Sequence, residues 1–128
     1  MKTAWYVDDD QEMIEAISLM MKLLDFETIP FFNAPAASRQ FQTGERPDLL
    51  LLDINMPQIS GIDLLEFVRK KEKINDLPIL MLSSEHTDVQ VDEALAKGAD
   101  GYALKPVTLD ELEKAINMAI AKRRKQFL

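Results

Sequence analysis

The stretch LLLLD, Leu49 to Asp53, is four leucines closed by an acid. No polar residue alternates with the leucines, so a strand here has no wet face. A strand buried on both sides belongs to a parallel sheet with helices on both faces. Working outward, Thr3–Asp8 and Glu27–Phe32 read as strands before it, and Leu77–Ser83 and Gly101–Leu104 as strands after it. Pro30 inside the second strand places that strand at a sheet edge, because proline donates nothing to a ladder.

Helical spacing fills the gaps. Met13, Ile14, Ile17, Met20, Met21 and Leu24 share one helix face. Asn33 caps a short helix that stops near Gly44. Ser60 caps a helix from Gly61 to about Lys73, and Asp88 to Lys97 forms another, stopped by Gly98. Thr108-Leu109-Asp110-Glu111 is a capping box, and it opens a last helix lined by Leu112, Ile116, Ala119 and Ile120. Five strands, each followed by a helix, give an α/β sheet, parallel throughout. There is no internal repeat or linker, so residues 1–128 read as a single domain.

Composition narrows the function. The chain has no cysteine, which excludes disulfides and thiolate metal sites. No apolar run approaches the ~20 residues of a membrane helix. The first residues lack a signal-peptide pattern, so a cytoplasmic location is expected. A net charge of −7 argues against direct nucleic-acid binding. The basic run Lys122-Arg123-Arg124-Lys125 reads as a solvated helix end, where cations suit the helix dipole.

Ligand sites in open parallel sheets lie at the carboxyl ends of the strands. Those ends carry Asp8 and Asp9, Asp53, Ser83, and Lys105. The first group sits in VDDD, Val7 to Asp10. Neighbouring carboxylates about 4 Å apart repel by roughly 4 kcal/mol at an effective dielectric near 20. Either the acids face water, with one capping the next helix, or they hold a cation. Three carboxylates, one hydroxyl and one lysine on four strand ends favour the cation. Asp10 lies beyond the pair and reads as the helix cap. The Lys105–Pro106 bond is left trans by sequence alone.

The motifs Val7-Asp8-Asp9, Asp53-Ile54-Asn55-Met56-Pro57 leading to Gly61, Ser83-Ser84 and Lys105-Pro106 resemble the receiver domain of two-component response regulators, including stand-alone chemotaxis-type regulators. The resemblance covers essentially the whole chain. It implies a flavodoxin-like five-stranded parallel sheet in the order 2-1-3-4-5, with five helices on both faces. It also implies a cis Lys105–Pro106 bond. By resemblance Asp53 is the phosphoacceptor, Asp8 and Asp9 hold Mg2+ together with Asp53 and the Asn55 backbone carbonyl, and Ser83 and Lys105 contact the phosphoryl group. Ser83 and Tyr102 form the switch pair, and Asn55 and Glu85 tune dephosphorylation.

The implied function is a phosphorylation-dependent signalling switch. A sensor histidine kinase or phosphotransfer protein supplies the phosphoryl group. The surface of the fourth helix, fifth strand and fifth helix then regulates a target, an output domain or a second copy. The domain catalyses only its own aspartyl phosphorylation and dephosphorylation, so it is not expected to be an enzyme on external substrates. A different reading is an aspartyl-phosphate phosphohydrolase of the haloacid-dehalogenase type. Such enzymes place a second aspartate two residues after the nucleophile, where this chain has Asn55. A docking module that never takes phosphate is a third reading, although every residue expected for phosphorylation is present.

Overall fold

The computed structural model describes residues 1–85 and 87–127; His86 and Leu128 lie outside the described residues. Strands β1 (Lys2–Val7), β2 (Phe26–Phe31), β3 (Leu49–Asp53), β4 (Ile79–Ser83) and β5 (Gly101–Leu104) alternate with helices α1 (Gln11–Leu23), α2 (Ala34–Gln42), α3 (Gly61–Arg69), α4 (Asp88–Ala96) and α5 (Leu109–Gln126). The strands are parallel and ordered β2-β1-β3-β4-β5. Pro30 lies on the edge strand β2, as its missing donor requires.

The leucine run is buried at every position. Leu50 and Leu52 join Trp5, Val7, Ile79 and Met81 in one core beneath α2, α3 and α4. Leu49 and Leu51 join Ala4, Tyr6, Leu80 and Leu82 in a second core beneath α1 and α5. Period-two alternation thus sends each leucine to one of two apolar layers. Full burial of each is worth roughly 1.5–3 kcal/mol.

Boundaries shift by one to four residues from the sequence reading. β1 ends at Val7, so Asp8 and Asp9 sit in the loop that follows it. The helix read as Gly61 to Lys73 stops at Arg69, with Lys70 as its C-cap. That residue pattern stays polar and helix-compatible beyond Arg69, but tertiary contacts end the helix there. The Arg69 guanidinium donates to the carbonyls of Asn75, Leu77 and Gly98, which belong to the returning chain.

The basic run needs a larger correction. Arg123 is buried, and its Nε donates to Asp100 Oδ1 at 2.8 Å. The other Asp100 oxygen accepts from Arg69 Nη2 and from the Ile79 backbone N–H, each at 2.8 Å. Burial pushes the Arg69 guanidinium down to about 10, which still leaves it charged at neutral pH. One carboxylate therefore pins α3, the start of β4 and the end of α5 together at the bottom of the sheet. In the sequence Arg123 is one of four equivalent cations, because its partner Asp100 lies 23 residues away.

Asp100→Ala leaves two arginines without their counter-charge. It should destabilise the fold by about 3–5 kcal/mol in urea denaturation. Arg124→Ala, an exposed neighbour, should change stability by no more than about 0.5 kcal/mol.

Candidate functional site

The site is built by strand register. β1 pairs with β3 through Tyr6–Leu51 and Val7–Leu52, and one further step brings Asp8 beside Asp53. β3 pairs with β4 through Asp53–Leu82, and β4 with β5 through Ser83–Leu104. Asp8, Asp53, Ser83 and Lys105 therefore meet at the carboxyl rim, as the sequence reading required. The Lys105–Pro106 peptide bond is cis.

Lys105 is the hinge of the geometry. Its Nζ lies 2.8 Å from Asp8 Oδ2 and 3.1 Å from Asp53 Oδ1. All three side chains are buried. Asp9 is exposed and completes the acidic group: carboxylate oxygens of Asp8, Asp9 and Asp53 lie within 4.8 Å of one another. One cation thus serves three acids. Burial raises the Asp53 carboxyl from 3.8 to about 6, and the Asp8 charge adds to this against the opposing pull of Lys105. Burial alone would lower the Lys105 ammonium, but its hydrogen bond to Asp8 and the two nearby carboxylates raise it instead.

Asp10 does the separate job read from the sequence. Its Oδ1 accepts from the backbone N–H groups of Glu12 and Met13, capping α1. The Asp10 N–H in turn donates to Asp8 Oδ1 at 2.9 Å. So VDDD contains one buried acid, one exposed acid and one cap.

The donor set suits a hard divalent cation. It offers carboxylate oxygens and no nitrogen or sulfur, and Lys105 compensates only part of its charge. The Asn55 carbonyl accepts no hydrogen bond among the described residues, which leaves its lone pairs open. The loop that carries it is held by Gly61, where a Cβ would overlap the backbone carbonyl of Asp53. Only glycine lets α3 start this close to the end of β3.

Two contacts at the rim escape sequence reasoning. Tyr6, fully buried on β1, donates its hydroxyl to Asp8 Oδ2. The signal was available: residues 6 and 8 point to the same side of an extended chain. Burial, then the Asp8 carboxylate, push the Tyr6 phenol far above its ordinary range, so it stays protonated and donates. The second contact concerns Glu85. Its N–H donates to Ser83 Oγ at 3.1 Å, and its carbonyl accepts from the Tyr102 hydroxyl at 2.9 Å. The same hydroxyl lies 2.8 Å from Gln90 Oε1 on α4. Glu85 thus joins Ser83 to Tyr102 through its backbone. The Glu85 and Asn55 side chains are exposed at the rim.

The family model described as the response regulator receiver domain matches residues 5–117. The chain is 36% identical over 111 residues to the chemotaxis protein CheY of Pseudomonas aeruginosa, covering 86% of this chain and 89% of that one. It is 32% identical over 117 residues to the transcriptional regulatory protein PrrA of Mycobacterium tuberculosis, covering 91% of this chain and 49% of that one. The chain therefore spans about half the length of the transcriptional regulators it matches. Among solved structures, the chemotaxis protein CheY4 of Vibrio cholerae superposes with a TM-score of 0.85 at 27% identity, over 93% of this chain and 98% of that one.

The raised Asp53 carboxyl has a stability consequence in metal-free buffer. The folded state binds this proton more tightly than the unfolded state. Stability from protonation is present below about pH 4 and is lost as pH rises through about 6. Asp53→Asn needs no proton. It should be more stable than the parent at pH 8 by on the order of 2–3 kcal/mol, the worth of roughly two pKa units. The gap should shrink to less than half by about pH 4.5. Urea denaturation at both pH values, with EDTA present, measures it.

Proposed function

We propose that this chain, which belongs to the response regulator receiver domain family, is a signalling switch that takes a phosphoryl group on Asp53 with Mg2+ bound. The observation that carries the reading is the Lys105 ammonium shared between Asp8 and Asp53 beside a three-carboxylate cluster. A buried group of this kind is poorly compensated alone and gains from both a divalent cation and a dianion.

In this reading an Asp53 carboxylate oxygen attacks the phosphorus of a phosphohistidine on a kinase or phosphotransfer protein. The P–N bond breaks and the imidazole leaves with the electron pair. Lys105, already at hydrogen-bond distance from Asp53 Oδ1, turns to a phosphoryl oxygen and neutralises it. Ser83 donates its hydroxyl to another phosphoryl oxygen, giving up its present tie to the Glu85 N–H. Mg2+, held by Asp8, Asp9, Asp53 and the Asn55 carbonyl, would supply Lewis-acid neutralisation of the transferred group. Water later attacks the acyl phosphate and returns the free carboxylate and inorganic phosphate. The exposed Asn55 and Glu85 side chains flank that approach and orient the water. The chain turns over no external substrate, so we do not class it as an enzyme.

The switch follows from Glu85. When Ser83 moves toward phosphate, the residue that joins it to Tyr102 loses its anchor. Tyr102 already packs against the core beneath α4, so it has a path inward. Moving such an equilibrium from mostly off to mostly on takes about 5.5 kcal/mol of differential interaction. A few charge-assisted hydrogen bonds supply that. The face formed by α4, β5 and α5 exposes Val89, Leu104 and Met118, and it is the surface offered to a target, an output domain or a second copy.

Acetyl phosphate should add one phosphoryl group, read by intact mass, and EDTA or Asp53→Asn should abolish it. Asp9→Ala should weaken Mg2+ binding more than Asp10→Ala; equal losses would reassign the acids. Beryllofluoride on Asp53 should displace Ser83, Tyr102 and the loop after β4, followed by NMR. If Asp53 is occupied and those residues stay in place, the switch is made elsewhere.

A further inference from the structure

We infer that Tyr6 is a positioning residue of the phosphorylation site, whose buried hydroxyl fixes the Asp8 carboxylate against Lys105 and so sets the affinity of the site for Mg2+. The inference rests on the reading of Asp8, Asp9 and Asp53 as the cation site and adds a residue that never touches the cation.

Asp8 is fully buried, and its two oxygens are used unequally. Oδ2 takes both the Tyr6 hydroxyl and the Lys105 ammonium. Among the described residues, Oδ1 takes only the Asp10 N–H. An ionised carboxylate has about four lone-pair positions, so three are filled and the open one is on Oδ1. Lys105 alone does not enforce this. Its long side chain also reaches Asp53, and phosphorylation would draw it away. Tyr6 has no such freedom. It is wholly buried on a strand in register with both Phe31-bearing β2 and β3, among Ile14, Ile17 and Leu51. Its ring cannot follow Lys105, so the Asp8 orientation survives when the lysine moves.

The position also has an unusual chemical character for a core site. A phenylalanine or leucine would fill the apolar layer beneath α1 and α5 without placing a hydroxyl there. A buried hydroxyl needs a hydrogen-bond partner, and this one has found a carboxylate of the site. Partners that orient a metal-ligating carboxylate typically matter by 10- to 100-fold in metal affinity.

Tyr6→Phe keeps the ring and removes the donor. Calorimetric titration with MgCl2, without any phosphodonor, should show affinity about tenfold weaker than in the parent. With acetyl phosphate, the Mg2+ concentration for half-maximal phosphorylation should rise by a similar factor, while the rate at saturating Mg2+ stays close to the parent. Ile17→Val, which loosens the same core without touching Asp8, should keep parental affinity. Parental affinity in Tyr6→Phe, or an equal loss in Ile17→Val, overturns the inference. The intact chain gives a check that does not depend on the variant folding: the Tyr6 hydroxyl proton should appear as a slowly exchanging downfield NMR resonance that shifts on adding MgCl2. Its absence also overturns the inference. If the parent itself neither binds Mg2+ nor accepts phosphate, the cation-site reading fails and this inference falls with it. A competent parent beside an indifferent Tyr6→Phe overturns this inference alone.

Discussion

A single ammonium held between two buried carboxylates is the constraint on which the rim depends. Lys105 reaches Asp8 and Asp53 together, and Asp9 adds a third negative charge at the edge of solvent. Buried charges are tolerated when they are paired and hydrogen-bonded. Here the pairing is deliberately short by at least one positive charge. Burial raises the Asp53 carboxyl, the Asp8 charge adds to it, and Lys105 offsets only part of the rise, so the site gains from a cation and an anion that arrive together. A fully neutralised cluster would have less to gain from the proposed phosphorylation.

The rest of the fold holds that shortage in place. Parallel register sets Asp8 beside Asp53, and the four buried leucines of β3 give the carboxylate a rigid, dry support. Gly61 lets α3 begin against the Asp53 carbonyl. At the opposite end of the sheet the reverse arrangement occurs. Asp100 is matched by two arginines and accepts a backbone N–H as well, so that cluster is saturated. The contrast separates these two buried ionic groups. The one at the bottom fastens helices, and the one at the top is left incomplete.

Much of this was legible because it is local or periodic. The leucine run, the edge proline and the caps at Asp10, Asn33, Ser60 and Thr108 each follow from residue chemistry within a few positions. The meeting of Asp8, Asp53, Ser83 and Lys105 followed from one rule about strand ends. What stayed hidden depends on distant pairing. Arg123 looked like its solvated neighbours until Asp100 was found beside it. Arg69 ends its helix by reaching carbonyls that return from later in the chain. Tyr6 draws no separate reading in the strand Thr3–Asp8, because its apolar ring fits a strand pattern, while its hydroxyl acts two residues further on. The tie from Ser83 to Tyr102 through Glu85 uses backbone atoms, which no side-chain pattern announces.

The electrostatic shortage itself can be measured directly. Carbon-13 NMR of the aspartate carboxyl groups, assigned with Asp53→Asn, follows Asp53 through a pH titration with and without Mg2+. The expected midpoint without metal is about 6, and saturating Mg2+ should drive it well down as the carboxylate gains a counter-charge. A metal-free midpoint at the ordinary 3.8, indifferent to Mg2+, would show that the rim is already compensated. The poised cluster would then not be the basis of the proposed switch.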